Sequence, residues 1–372
     1  MPLPLDICIR GGGVVGRTLA LLLAQERLRV GLFVPQAGGP TSSLPDVRAY
    51  ALNQASKNLL ESVRCWPAPP AATPVLTMKV REELGGELSF DATQLDAQAL
   101  TWIVDVPVLE AQLADAVRFQ AQIALLDAPA CAALTVVCEG KASSTRAEFG
   151  VEFAVTPYAQ HAIAARVACE IPHEQVARQW FSKGEILAFL PLGGTTGNSV
   201  AIVWSVSPEH AATLRHLSPE DFCLELHAAS QQCLGQLTLA SERAVWPLQK
   251  AQARQWTGRA VAGAWALAGD AAHNVHPLSG QGLNMGLADV SELAALIRGR
   301  DYWRPVGDDK LLRRYERSRK AGMLSMATAT DGLQWMFSQP GGAWPALRKW
   351  GMNRIDRNGR LKQWMARQAM DF

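Results

Sequence analysis

No run of about eighteen or more apolar residues occurs in this chain, so no segment reads as a membrane-spanning helix. The opening residues, MPLPLDICIRGGG, lack a basic stretch followed by a long apolar core and do not read as a secretory leader. Cysteine is sparse and unpatterned. The seven at positions 8, 65, 131, 138, 169, 223 and 233 form no C-x-x-C pair, which argues against a disulfide scaffold or a zinc ribbon and for a reducing cytoplasm. Internal repeats and low-complexity tracts are missing too. The net charge of +2 is too small to suggest a nucleic-acid ligand, and none is expected. What remains is an ordinary globular composition, 48% apolar and 19% charged over 372 residues, long enough for two interleaved domains. Charge is unevenly spread: from Arg298 onward there are sixteen Lys/Arg against seven Asp/Glu, and before it twenty against twenty-seven. That asymmetry reads either as a solvated helical face or as a basic surface for a membrane.

Glycine, by contrast, is concentrated at strand ends. LDICIRGGGVVGRTLALLLAQERLRVGLFVPQ reads as a strand over 5–9, a glycine turn, a helix over 18–25 and a strand over 29–34. Such a βαβ unit builds parallel sheets. Within it, residues 11–16 fit G-x-G-x-x-G. The first glycine permits the tight turn, the second lets main chain approach a pyrophosphate, and the third lets helix pack on strand. The helix start adds free N–H groups and a positive dipole end. The pattern alone is weak, but after a strand and before a helix it marks a dinucleotide site, with Gly11, Gly13, Val14, Val15 and Gly16 as contacts. The acid that usually takes the ribose hydroxyls is missing. Val34-Pro35-Gln36 stand there, which weakens cofactor binding unless Gln36 substitutes.

A second glycine-rich strand end lies far along the chain, in LAGDAAHNVHPLSGQGLNMGLADV. An apolar strand ends at Gly269-Asp270, a loop follows, and a helix runs over 281–298. If both strand ends lie on one carboxyl edge of a parallel sheet, they share a ligand. Asp270 would accept from sugar-alcohol hydroxyls. Pro277, Gly280, Gly282, Leu283 and Asn284 would present bare backbone to a planar ring, whose anionic edge the helix dipole would stabilise. FAD combines all these parts. His273-x-x-His276 with Asp270 lacks a defined tetrahedral ligand set, so no metal is expected, and no catalytic acid or base is assigned.

Elsewhere, RAYALNQASKNLLESV reads as a loop entering a helix, CWPAPPAATP as a connector, and 75–95 as paired strands. Residues 108–119 read as a helix, 133–138 as a strand and 151–206 as β-rich, with GGTTGN as a hairpin turn. Residues 218–233 read as another helix. Trp102, Trp204, Trp246 and Tyr158 are candidates to line a substrate pocket, with core packing as the plainer alternative. The expected fold class is α/β: a Rossmann-like FAD-binding domain (1–65 with 96–150 and 255–305), a β-sheet substrate domain (66–95 with 151–254) and a basic helical C-terminal region (306–372).

The second glycine motif resembles the flavin-contacting segment of group A FAD-dependent aromatic hydroxylases, most of all those of ubiquinone biosynthesis. The resemblance extends over nearly the whole chain, through RAYALNQASKNLLESVRCW, WIVDVPVLEAQL, GEILAFLPL, VWSV and LKQWMARQAM. It implies Arg48 near the flavin, NAD(P)H as a transient electron donor without its own Rossmann domain, and O₂ as co-substrate. The implied reaction is ring hydroxylation of a phenolic or quinone precursor, polyprenylated or not, through a flavin C4a-hydroperoxide. A bilayer-resident substrate would place the basic C-terminal region at the membrane surface. The chain departs from the family at Val34, at Asp105-Val106-Pro107, at Glu139-Gly140, and over 114–136, which looks too short for the usual additional strands. These departures support an alternative: a scaffold assembling with other biosynthetic proteins. A flavin-dependent reductase of the same fold is a third reading.

Overall fold

A computed structural model describes residues 5–35, 46–83, 85–194, 197–274 and 281–338, with side chains up to Met323. Along the chain, β1 (Leu5–Arg10), α1 (Val14–Gln25) and β2 (Val30–Phe33) form the βαβ unit, followed by β3 (Ala49–Leu52), α2 (Gln54–Ser62) and β4 (Ala72–Val75). A hairpin, β5 (Thr77–Glu82) and β6 (Glu87–Asp91), precedes β7 (Thr101–Asp105), α3 (Val106–Arg118), β8 (Ile123–Leu126), β9 (Ala132–Val137) and α4 (Ser144–Glu148). Then come β10 (Phe153–Cys169), β11 (Val176–Ser182), β12 (Glu185–Leu192), β13 (Ser199–Val206), α5 (Pro208–His216), α6 (Pro219–Ala229), β14 (Leu237–Leu239) and β15 (Ala244–Ala253). The described chain closes with β16 (Thr257–Ala260), β17 (Gly263–Leu267), β18 (His273–Asn274), α7 (Gly282–Arg298) and α8 (Asp309–Ser338).

The first sheet has the order β16-β17-β9-β1-β2-β8. β1 lies parallel to β2 and β9, and β17 parallel to β9. Its central strands are apolar on both faces (Ile7 and Cys8 of β1 and Val136 and Val137 of β9 are fully buried), as a sheet covered on both sides requires. Both glycine-rich segments therefore leave carboxyl ends of one sheet: Gly11 follows β1, and Gly269 follows β17 one strand beyond β9. β8 lies within the stretch expected to be too short for further strands, and pairs parallel to β2.

The second sheet has nine strands, ordered β18-β15-β10-β13-β12-β11-β5-β6, with β14 on β10. β12 and β13 form the hairpin read from GGTTGN. β10 slips register between Pro157 and His161, where a proline without an N–H interrupts the ladder. α5 and α6 cover one face, burying Phe222, Leu226 and Leu214 against Trp180, Phe189 and Trp204. A third, small sheet joins β3, β7 and β4, so RAYALN is a strand rather than a loop. Leu52, at the end of β3, is completely buried, and Tyr50 borders the cavity described below.

α8 is not only a basic surface. Tyr315 is fully buried and donates from its hydroxyl to the Leu267 carbonyl at 2.8 Å, and Arg319 turns inward to α7. Trp335 lies on α8. Trp344, Trp350 and Trp364 fall outside the described residues, as do Gln36, His276, Pro277 and Gly280. Among the described residues no helix is long and apolar enough to cross a membrane.

Candidate active site

The carboxyl edge of the parallel sheet opens into a cavity of about 1030 Å³ that continues onto the inner face of the nine-stranded sheet. One end is lined by Gly13–Val15, Gly269, Asp270 and Gly282–Asn284; the other by aliphatic side chains such as Ile186, Leu190 and Val203 together with Trp246. The two sequence motifs, more than 250 residues apart, thus meet at one chamber.

The glycines of the first motif divide their work. Gly11 has φ +122°, and a Cβ there would stand 2.3 Å from the Cys138 carbonyl oxygen; one on Gly16 would stand 2.0 Å from the Gly11 carbonyl oxygen. Both positions are closed to any side chain. Gly13 is different, since a Cβ would meet nothing within 4 Å, and its open side borders the cavity. Val14 and Val15 continue the helix, and Val15 packs against Gly269 and Gly286. Gly269 takes φ +63° and donates its N–H to Asp289 at 2.9 Å. Gly282, like Gly13, has free space before it.

Helix ends supply the second feature. α2, α4, α5 and α6 are capped by the side chains of Asn53, Ser143, Ser207 and Ser218. α1 and α7, whose first turns border the cavity, have no side-chain cap and no acidic residue in the first turn. Their first N–H groups, which every helix leaves unpaired, face the chamber with the positive dipole end behind them. Helix starts of this kind can hold an anion at α1 and polarise a ring edge at α7.

Asp270 supplies the third. Among the described residues its carboxylate takes no hydrogen bond or ion pair. Burial raises its pKa, opposed by the nearby charges of Lys141, His273 and Arg48. A carboxylate left in a half-dry pocket without donors is suited to hydroxyl groups arriving with a ligand. Arg48 borders the chamber and is clamped by Asp46 (2.6–2.9 Å) and Glu110 (3.3 Å). The Asp46 bonds, and then Glu110, raise its pKa against burial. Burial also raises the Tyr50 hydroxyl, which lines the same wall. Tyr50, Glu110 and Lys141 were not singled out from the sequence, although Tyr50 stands in the RAYALN stretch and Lys141 two residues after Glu139.

Other expected residues have different work. Asn284 borders the cavity, but its side chain joins three elements: it accepts from the Asn53 N–H (3.1 Å) and the Ser56 hydroxyl (2.7 Å) and donates to the Ala51 carbonyl (2.9 Å). Of the four aromatic candidates only Trp246 lines the cavity; Trp102 and Trp204 are core residues. Val34 packs over Gly12, where a Cβ would meet its methyl carbon at 2.5 Å. Glu139 turns to α4, accepting from the Ser143 hydroxyl, the Thr145 hydroxyl and the Thr145 N–H at 2.6–3.1 Å. Asp105 pairs with Arg166 of β10 at 2.6 Å, tying α3 to the large sheet. His273 is buried against Trp256 and donates to Asp289 at 2.6 Å. Arg319 reaches the other oxygen of Asp289 at 2.7 Å. Burial would raise Asp289, but His273 and Arg319 overcome it and hold the carboxyl below its ordinary range.

A bare phosphate cradle, a donor-free carboxylate and an open chamber fit a pyrophosphate, a polyol chain and a planar ring in succession. Comparison with known proteins agrees. A family model described as FAD binding domain matches residues 129–330. The 3-demethoxyubiquinol 3-hydroxylase of Escherichia coli (strain K12) is 29% identical over 395 residues, spanning 99% of this chain and 98% of that protein. Ubiquinone hydroxylase UbiL of Rhodospirillum rubrum is 29% identical over 392 residues, 98% of this chain and 89% of that protein. Among solved structures, p-nitrophenol 4-monooxygenase PnpA from Pseudomonas putida DLL-E4 superposes with a TM-score of 0.75 at 18% identity, covering 99% of this chain and 98% of that one. This last likeness speaks to the fold.

Proposed function

The chain belongs to the FAD binding domain family, and from that premise we propose that it is an FAD-dependent monooxygenase hydroxylating the aromatic ring of a phenolic or quinone precursor. The observation that carries the reading is the single chamber: a cofactor end built by Gly13, Asp270 and Gly282 runs without a partition into an apolar end on the nine-stranded sheet. A reductase needs no such enclosed second room. The scaffold reading is not favoured, because the space before Gly13 and Gly282 is open and the departing residues Asp105 and Glu139 bond within the protein without closing it.

FAD, when bound, supplies the electron relay and the oxygen-activating centre. The protein's part is positional. The α1 turn at Gly13–Val15 receives the pyrophosphate, Asp270 accepts from the ribityl hydroxyls, and the first N–H groups of α7 oppose negative charge on the ring edge. Arg48, fixed by Asp46 and Glu110, adds a rigid cation at the wall. The aliphatic lining and Trp246 hold an aromatic substrate and keep water from the reacting atoms. NAD(P)H and O₂ are the co-substrates. The Escherichia coli relative is named for a ubiquinol precursor, which motivates that substrate class here. The division into a cofactor part (1–65, 96–150, 255–305), a substrate part (66–95, 151–254) and a C-terminal region (306–372) belongs to the proposal and is supported by the pairing of strands 77–91 with strands 153–253 in one sheet.

Peripheral membrane contact and assembly with other biosynthetic proteins, in a cytoplasmic setting, extend the proposal. The basic excess after Arg298 supports the membrane contact, as does the exposed pair Tyr302 and Trp303, with the Arg304 guanidinium 4.4 Å above the Trp303 ring. The purified protein is expected to be yellow, with one FAD per chain. Given NADH and a phenolic quinone precursor, it is expected to consume O₂ and yield a product heavier by one oxygen atom. A colourless protein that takes up no FAD would overturn the cofactor assignment; NADH oxidation without oxygen insertion would make it a reductase.

A further inference from the structure

A second cavity, of about 170 Å³, is lined by Lys79, Arg81, Arg178, Trp180 and Cys233. The parallel register of β5 and β11 places Lys79 beside Arg178 and Arg81 beside Trp180. Met78, Ala177 and Gln179 line the main cavity, so by the alternation of a strand the cationic set turns to the other face. Arg178, near the strand start, borders both.

Three cations gathered on neighbouring strands repel one another and cost stability unless an anion joins them. The protein supplies little. Arg81 meets Glu87 at 3.3 Å, while Lys79 has no hydrogen bond or ion pair among the described residues. Arg178 directs only one terminal nitrogen to carbonyls, those of His173 and Val176 at 3.2 and 3.3 Å. Burial lowers its pKa first and Arg81 lowers it further, against the pull of Glu174. The Cys233 thiol is pushed up by burial and brings no charge. Trp180, 4% exposed, keeps a buried indole N–H without a partner among the described residues, an uncommon and costly state for a buried donor.

We propose that this cavity is a binding site for one tetrahedral oxyanion, a phosphate or the phosphate group of a small ester, held by Lys79, Arg81 and Arg178. The volume lies below the roughly 300–1,000 Å³ of pockets that enclose drug-sized ligands, so the cavity itself holds no more than the phosphate head group. Two free guanidinium edges and an ammonium suit phosphate geometry.

The test is calorimetric titration of inorganic phosphate into the FAD-loaded protein at constant ionic strength, so that the glycine cradle is filled and screening is fixed. One-to-one saturable binding is expected, together with a rise in thermal midpoint that tracks occupancy. The double variant Lys79→Gln/Arg81→Gln should weaken binding by about tenfold or more while keeping its flavin. Lys79→Gln alone, which breaks no hydrogen bond or ion pair among the described residues, gives the same direction should the double variant lose its fold. A parallel titration with glycerol 3-phosphate separates sources: tighter binding assigns the site to an ester, equal or weaker binding to free phosphate. Absence of saturation by about 50 mM of either probe, or equal binding by wild type and variants, would overturn the proposal.

Discussion

Replacing Asp270 with alanine separates two effects that the native carboxylate combines. In the cofactor-free protein the group is raised by burial and has no donor among the described residues. A carboxyl whose folded pKa exceeds its unfolded value of about 4 contributes stability below that value and loses it as pH rises through the folded pKa. At neutral pH the ionised group therefore costs the cofactor-free fold some stability, and Asp270→Ala should melt no lower than wild type, or higher. The holoprotein should respond in the opposite sense. A hydrogen bond to a charged acceptor contributes about 1.5–3 kcal/mol, so losing one with a ribityl hydroxyl should weaken FAD binding about ten- to hundredfold. Flavin-fluorescence titration of apoprotein gives the dissociation constant, and thermal melts with and without FAD give the two stabilities. Wild-type affinity should also fall as pH drops through the raised pKa, since the protonated group accepts less well, and the variant should lose that dependence. An FAD affinity for Asp270→Ala within about twofold of wild type would refute the assignment; so would a cofactor-free variant that melts clearly lower.

Gly13→Ala and Gly16→Ala should part company. The first has room for its methyl group and should fold but bind FAD weakly, whereas the second drives a methyl into the Gly11 carbonyl and should reduce soluble, folded yield; circular dichroism and flavin content distinguish them. Asp289→Ala leaves His273 and Arg319 unpaired in the interior, a loss of about 3–5 kcal/mol in urea unfolding at pH 7. Because the native Asp289 pKa is depressed, its contribution is present above the unfolded value of about 4 and fades as pH falls through the lower folded one, so the gap between wild type and variant should narrow as the solution is acidified below that unfolded value. Val34→Glu puts an acid where the ribose hydroxyls are expected and should tighten FAD binding by about tenfold, read by the same fluorescence titration. Trp246→Ala should raise KM for the aromatic substrate with flavin content unchanged.

Both glycine motifs were legible because their chemistry is local: a strand, a turn that admits only glycine, and a helix start can be recognised within thirty residues. Their meeting followed from one topological rule about parallel sheets. Contacts that depend on distant pairing were hidden. Asn284 could not be seen as a staple until Ala51, Asn53 and Ser56 were beside it, and Glu139 read only as a departure from the family pattern although it organises α4. Trp246 lines the cavity whereas Trp102 and Trp204 took the plainer core role, and the sequence could not part them, since a tryptophan in a strand gives no sign of which face is the core. The cation cavity needed β5 beside β11, a pairing of segments about a hundred residues apart in sequence that no periodicity announces.

The helices α1 and α7 begin at the rim of the chamber with no side-chain cap among the described residues. A ligand that binds only the folded form adds RT ln(1 + [L]/Kd) to its stability, about 2.7 kcal/mol at a hundredfold excess over Kd. In a growing cell this makes the coenzyme supply a determinant of how long each molecule survives proteolysis. Scarcity of flavin would thus lower the amount of this protein before it limited the turnover of any molecule already assembled.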